Sequence, residues 1–210
     1  MSTDTCDTKK SRGRPKVFDK ESALDKAMVL FWQHGYEATS MAHLVEATGA
    51  KAPTLYAEFT NKEGLFKAVL DRYLARVTKL RETCLRCDNR TLEEALEDYL
   101  YLVAKLFTDK ETPTGCFMIC TSSVLAVSSH DISEMIKARQ SLLEATLLKF
   151  LEQHQQKGEI PATTCVQNLA RYLCCIVQGM SVSAREDASH EELKQIVSTT
   201  LRLLPELKKI

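Results

Sequence analysis

Two short segments with helical apolar spacing, Thr39 to Gly49 and about Ala52 to Glu58, follow one another across a glycine, and this pairing constrains the chain more than any other feature. In the first, Thr39 and Ser40 supply hydroxyls at the N-terminal end, Met41, Leu44 and Val45 share a face, and Gly49 is the stop. In the second, Pro53 falls in the first turn, where its missing N–H breaks no hydrogen bond. A longer helix precedes them. Ser22 to His34 carries Leu24, Ala27, Met28, Phe31 and Trp32 at helical spacing, with Asp19 or a neighbour as cap and Gly35 as end. Two short helices around a glycine turn, behind a supporting helix, make a helix-turn-helix pattern.

Helical patterning continues to the end of the chain. A long helix opens at Asn61 and runs to about Arg81 on Leu65, Phe66, Val69, Leu70, Tyr73, Leu74, Val77 and Leu80, with Gly64 weakening its start. Further patterns cover Leu92 to Phe107, Cys116 to Val127, Ile132 to Gln156, Thr164 to Arg185 and His190 to Leu204, separated by Gly-, Pro- and Ser-containing breaks. No stretch alternates with period two over strand length. The expectation is an all-α protein: a basic arm at 1–16, a helix-turn-helix domain at 17–62, a connecting helix at 63–82 and a larger helical domain at 83–210. With 44% hydrophobic residues the chain has the material for a sizeable core.

Charge at first argues against a nucleic-acid partner, because 28 Lys plus Arg are balanced by 28 Asp plus Glu. Resolved along the chain, the zero is a cancellation. Residues 1–80 hold 13 cations against 10 anions, and residues 81–210 hold 15 against 18. The surplus concentrates in the run from Lys9 to Lys16, five cations in eight residues with Gly13 and Pro15 among them. Two readings of this arm stand: one that follows a DNA backbone or enters a minor groove, and a solvated tail.

The order Gly35-Tyr36-Glu37-Ala38-Thr39-Ser40-Met41, Leu44-Val45-Glu46-Ala47-Thr48-Gly49-Ala50, Pro53-Thr54-Leu55-Tyr56-Ala57-Glu58-Phe59 and Asn61-Lys62-Glu63-Gly64-Leu65-Phe66 closely resembles the DNA-binding domain of the tetracycline-repressor (TetR/AcrR) family, over about residues 13–75. A recognition helix brings its first turn to base edges, so Lys51, Ala52 and Pro53 are the candidate base-reading positions. This triplet departs from the family's commoner small polar residue, basic residue and glycine, which leaves the operator sequence open. The resemblance implies phosphate contacts from Thr39, Ser40, Thr54, Tyr56 and Lys62, to which the arm adds Arg12 and Arg14. Capping for Thr39 and Ser40, and packing for Tyr56, are the structural alternatives.

Specific binding needs two half-sites and hence a homodimer. By the same resemblance the last two helices pair with their twins, through Leu169, Leu173, Ile176, Val177 and Met180 on one and Leu193, Ile196, Val197, Leu201 and Leu204 on the other. The alternative is that both stripes face the intrachain core. The resemblance further implies a pocket for a small-molecule inducer. Tyr99, Val103, Phe107, Cys116, Phe117, Cys120, Tyr172, Cys175 and Gln178 are its candidate lining, since they mix apolar surface with a few polar atoms. The implied partners are double-stranded operator DNA, the inducer and a second copy of the chain.

Eight cysteines in a chain of this length read as thiols rather than a disulfide framework. Cys84 with Cys87, and Cys116 with Cys120, have spacings that put each pair on one helical face, so a thiol- or copper-responsive repressor is the alternative within the same fold. Burial as small hydrophobes is the simpler reading. The five histidines form no ligand pattern, and no phosphate loop, nucleophile elbow or metal motif appears, so no enzyme, cofactor or metal site is expected. A helical adaptor without DNA binding is the remaining class. The polar N-terminus and the lack of a long apolar run point to the cytoplasm and away from a membrane.

Overall fold

The computed structural model describes residues 18–86, 90–122, 125 and 130–209. The basic arm, with Arg12 and Arg14, and Cys87 lie outside the described residues. Within them the chain forms α1 (Lys20–Ala38), α2 (Met41–Thr48), α3 (Ala52–Phe59), α4 (Lys62–Cys84), α5 (Leu92–Phe107), α6 (Phe117–Ser122), α7 (His130–Gln156), α8 (Val166–Arg185) and α9 (His190–Leu207), and no strand. The fold is all-α, as expected.

Local chemistry sets the boundaries. Asp19 caps α1 by accepting from the Ser22 N–H at 3.0 Å. Gly35, expected as the end of α1, is instead a break at φ 80°, after which the helix continues to Ala38. Ser40 caps α2 in a reciprocal box: its hydroxyl accepts from the His43 N–H at 3.1 Å, and its own N–H donates to His43 Nδ1 at 3.3 Å. Gly49 closes α2 at φ 67°, where its N–H donates to Val45 and a side chain would be strained. The predicted helix from Cys116 to Val127 is shorter: α6 ends at Ser122, and Leu125 is non-helical.

Packing joins the N-terminal bundle to the rest of the core. α1 lies against α4 and α2, α5 against α9, and α7 against α8. Arg72 on α4 holds Asp25 on α1 through two bonds, at 2.7 and 2.8 Å. Phe117 of α6 meets Phe66 and Tyr73 of α4 and Trp32 of α1 at ring-centroid distances of 5.4–5.8 Å. Two polar ties run the same way: Arg139 of α7 pairs with Asp71 at 2.9 Å, and Arg185 of α8 donates to the Gln33 carbonyl at 2.8 Å. Direct contacts thus join α6, α7 and α8 to α1 and α4.

Candidate nucleic-acid interface and a cavity

α3 is held by its inner face and presents its outer one. Leu55 and Phe59 are buried, while Lys51 and Pro53 are exposed, Ala52 and Thr54 are half-buried, and the Tyr56 ring is 49% exposed. Lys51 occupies the N-cap position without a side-chain cap bond, so its side chain is not spent on its own helix. Ser40 is exposed at the start of α2, the other end of the unit. Lys51, Pro53, Tyr56 and Ser40 are thus all exposed, with Ala52 and Thr54 half-buried.

Thr39 does not join them. Its side chain is 1% exposed, and its hydroxyl donates at 2.8 Å to the Gly35 carbonyl beside the break in α1. The phosphate contact expected of its hydroxyl is corrected on this ground, and Ser40 takes the capping role alone. Lys62 is half-buried: its ammonium donates to the Tyr36 carbonyl at 3.0 Å and lies 4.2 Å over the Tyr36 ring. Burial, then the carboxylates of Glu63 and Glu37, push the Tyr36 phenol up, so the ring meets Lys62 as a neutral π-face.

Behind this unit residues of α1, α4, α5, α6, α7 and α8, with the 109–116 connection, line a cavity of about 630 Å³ that opens to solvent. Tyr99, Val103, Phe107, Cys116 and Gln178 line it as expected. Four other predicted lining residues do not. Phe117 is fully buried in the aromatic cluster, and the Cys120 thiol turns to the Thr114 carbonyl. Tyr172 and Cys175 lie on the other side of α8, whose cavity-facing residues are Cys174, Val177 and Gln178. Sequence reasoning missed Trp32, Tyr73, Val77, Arg81 and Cys174. A signal existed for Arg81: it follows Val77 by four residues and so places a cation on the buried stripe of α4.

The expected dimer stripes are corrected in part. Leu169, Leu173, Val177, Met180, Leu193, Val197 and Leu204 are at most 4% exposed within one chain and have no surface left for a partner. The most apolar stripe of each helix is taken by its own core. Ile176, Ile196 and Leu201 keep partial exposure, and the outer faces add Val182 and Leu203, each 46% exposed.

Among the described residues no two cysteines are joined by a disulfide. Cys116 Sγ meets the Tyr73 hydroxyl at 3.4 Å, away from the Cys120 contact with Thr114. Burial raises Cys84 and Cys120, and pushes Cys174 up to about 11. Among the described residues no group of three or more His, Cys, Asp or Glu is placed to hold a metal ion, and no helix is long and apolar enough to cross a membrane.

A pair of short helices with an exposed basic and hydroxyl-bearing face, set beside a small-molecule-sized cavity, defines a helix-turn-helix protein of the DNA-binding class. Residues 23–69 match the model of bacterial regulatory proteins of the tetR family. The chain is 60% identical over 210 residues to the HTH-type transcriptional repressor ComR of Escherichia coli, covering all of both chains. It is 32% identical over 184 residues to the repressor BdcR of Escherichia coli, covering 86% of each. A cysteine-substituted form of the TetR family regulator CifR, complexed with 26bp double-strand operator DNA, superposes with a TM-score of 0.85 at 30% identity, over 90% of this chain and 98% of that one. The chain belongs to the tetR family of DNA-binding transcriptional regulators, and its function is that of a repressor rather than an enzyme or an adaptor.

Proposed function

We propose that the protein acts as a homodimer that holds a two-fold operator through its paired α3 helices and lets it go when a small molecule enters the cavity. The carrying observation is the exposed face of α3, with Lys51, Pro53 and Tyr56 turned outward from a helix anchored by Leu55 and Phe59. Lys51 reads a base edge, with Ala52 and Pro53 giving shape and thymine-methyl contact. Ser40, Thr54, Tyr56 and Lys62 position the backbone, and the basic arm with Arg12 and Arg14 adds a groove or backbone contact.

The division of labour follows the helices: arm 1–16, reading head 17–62, connecting helix 63–82 and effector and dimer domain 83–210. α4 supports it, since it begins beside α3 and then walls the cavity with Tyr73, Val77 and Arg81. α1 takes part through Trp32. A ligand that binds better to one arrangement of these walls shifts the population toward it, and the two reading helices lose their match to half-sites one turn of DNA apart. The dimer forms through the outer faces of α8 and α9: Cys175, Ile176, Gly179 and Val182 on the first, Ile196 and Leu203 on the second. Cytoplasmic location accords with a partner of this kind.

A gel shift with the purified chain and the DNA upstream of its own gene tests the reading. Sequence-selective retention by two chains per site at moderate salt is expected. Binding that is equal on unrelated DNA, or by one chain per site, contradicts it.

A further inference from the structure

The cavity has an ionic feature that its apolar walls do not explain. Arg81 lines it with only 9% of its surface exposed, and its guanidinium forms no hydrogen bond or ion pair with any described residue. Other charged groups at the cavity are engaged or open to water. Asp25 is held by Arg72, Glu144 accepts from Gln167 at 2.7 Å and Arg171 at 3.2 Å, Asp109 accepts the Glu111 N–H at 3.0 Å, and Glu111 and a second lining cation, Arg76, are exposed. Lys137 pairs with Glu134.

A guanidinium cannot shed its proton, so Arg81 presents a fixed positive charge at the cavity with no protein counter-charge bonded to it, and its nitrogens are not sealed from solvent. Beside Arg81 stand the Tyr99 hydroxyl, which also makes no hydrogen bond to a described residue, and the Cys174 thiol. Burial raises both groups and the Arg81 charge opposes it, which places the cation close to them and leaves Tyr99 a neutral donor. The rest of the wall near α1, α4 and α5 is apolar: Trp32, Val77, Leu102 and Val103.

We propose that the cavity takes an amphipathic carboxylate, its head group on the Arg81 fork with the Tyr99 hydroxyl as second donor, and its apolar body along Trp32, Val77, Leu102 and Val103. This rests on the reading of the cavity as the effector site. The planar guanidinium matches a carboxylate through two parallel bonds, and the ligand supplies the counter-charge the fold omits. A volume of about 630 Å³ suits a small molecule of this kind.

Trp32 is the single tryptophan and lines the cavity, so its emission reports occupancy. The full chain is titrated with the straight-chain carboxylates from hexanoate to dodecanoate and with the matching primary alcohols. At least one carboxylate binds tighter than its alcohol by about tenfold or more. Arg81→Met abolishes that preference and keeps alcohol binding, and its ligand-free melting midpoint equals or exceeds that of the parent, whereas loss of a structural ion pair would lower it. Arg81→Lys keeps the charge but loses the fork, and gives an intermediate preference; it also carries the test if Arg81→Met does not fold. Failure of every carboxylate to bind, alcohols binding as tightly, or an unchanged preference in the variant that folds overturns the proposal. A gel shift with the same carboxylate separates the two layers: uptake at Arg81 without release of DNA contradicts the effector reading and leaves the ligand class standing.

Discussion

Lys62 Nζ sits 3.0 Å from the Tyr36 carbonyl and 4.2 Å above the Tyr36 ring, so one cation ties the first turn of α4 to the end of α1. The ammonium has three protons, and this joint spends one on the carbonyl. Lys62 is thereby a structural pin, and in the proposed function its remaining protons face a DNA phosphate. Lys62→Ala should weaken binding to all DNA sequences alike, reduce the slope of log affinity against log salt by about one, and lower stability by about 1 kcal/mol. Fluorescence anisotropy at several salt concentrations, beside thermal melts, measures both. An unchanged salt slope would leave Lys62 a pin only.

The turn between α3 and α4 stores strain. The Asn61 N–H donates to the Phe59 carbonyl at 2.7 Å across Thr60, whose φ of 68° and ψ of −52° are costly for a β-branched residue. Thr60→Gly should therefore stabilise the fold by up to about 1 kcal/mol. Four residues on, a Cβ on Gly64 would lie 2.1 Å from the Phe59 carbonyl oxygen. Gly64→Ala should destabilise by about 2 kcal/mol or more and spoil DNA binding, since α3 and α4 are forced apart. Denaturant titrations of the two variants would refute this account if their signs were reversed.

Acid sensitivity has an identifiable source in Glu159, just after the end of α7. Burial works against its ionised form, but the Leu92 N–H at 2.7 Å and the His154 ring at 2.9 Å outweigh it and hold the carboxyl below its ordinary value of 4.5. A lowered folded-state value means stabilisation that is complete above the ordinary value and is lost as the pH falls through the folded one. Glu159→Gln should thus melt lower at neutral pH, with a shallower decline below pH 4.5. Parallel melting curves for variant and parent across that range would assign the acid sensitivity elsewhere.

Cysteine accessibility reports on both the core and the dimer. In the single chain Cys165 and Cys175 are exposed, whereas Cys116 and Cys174 are buried. Mass spectrometry after brief alkylation of the folded protein should find Cys165 modified and Cys116 and Cys174 unmodified, with the raised Cys174 adding to its inertness. Cys175 should react more slowly than Cys165, because the proposed dimer covers the outer face of α8. Equal rates for these two would place the interface elsewhere.

The helices were legible because several carry their own punctuation, Asp19, Ser40 and Asn61 as caps and Gly49 as stop, with apolar stripes between. The reading head was legible for the same reason, being built from consecutive residues. Faces were harder. Periodicity shows that α8 and α9 have an apolar stripe, but it cannot say whether that stripe meets the chain's own core or a second copy, and the core took Leu173, Val177 and Leu193. The cavity was half legible: Tyr99 and Val103 follow the stripe of α5, while Trp32, Tyr73 and Arg81 are brought to the same space by the packing of α1 on α4. Thr39 failed for a local reason, since the break at Gly35 leaves a carbonyl that its hydroxyl satisfies.

Selection of binding sites from random duplex DNA by the purified full chain tests the central claim most directly. A two-fold symmetric sequence with half-sites about one helical turn apart should be enriched, and Lys51→Ala should change the enriched bases at one symmetric pair of positions while Lys62→Ala weakens binding without changing them. No enrichment, or a sequence that Lys51→Ala leaves unaltered, would contradict the assignment of α3 as the reading helix.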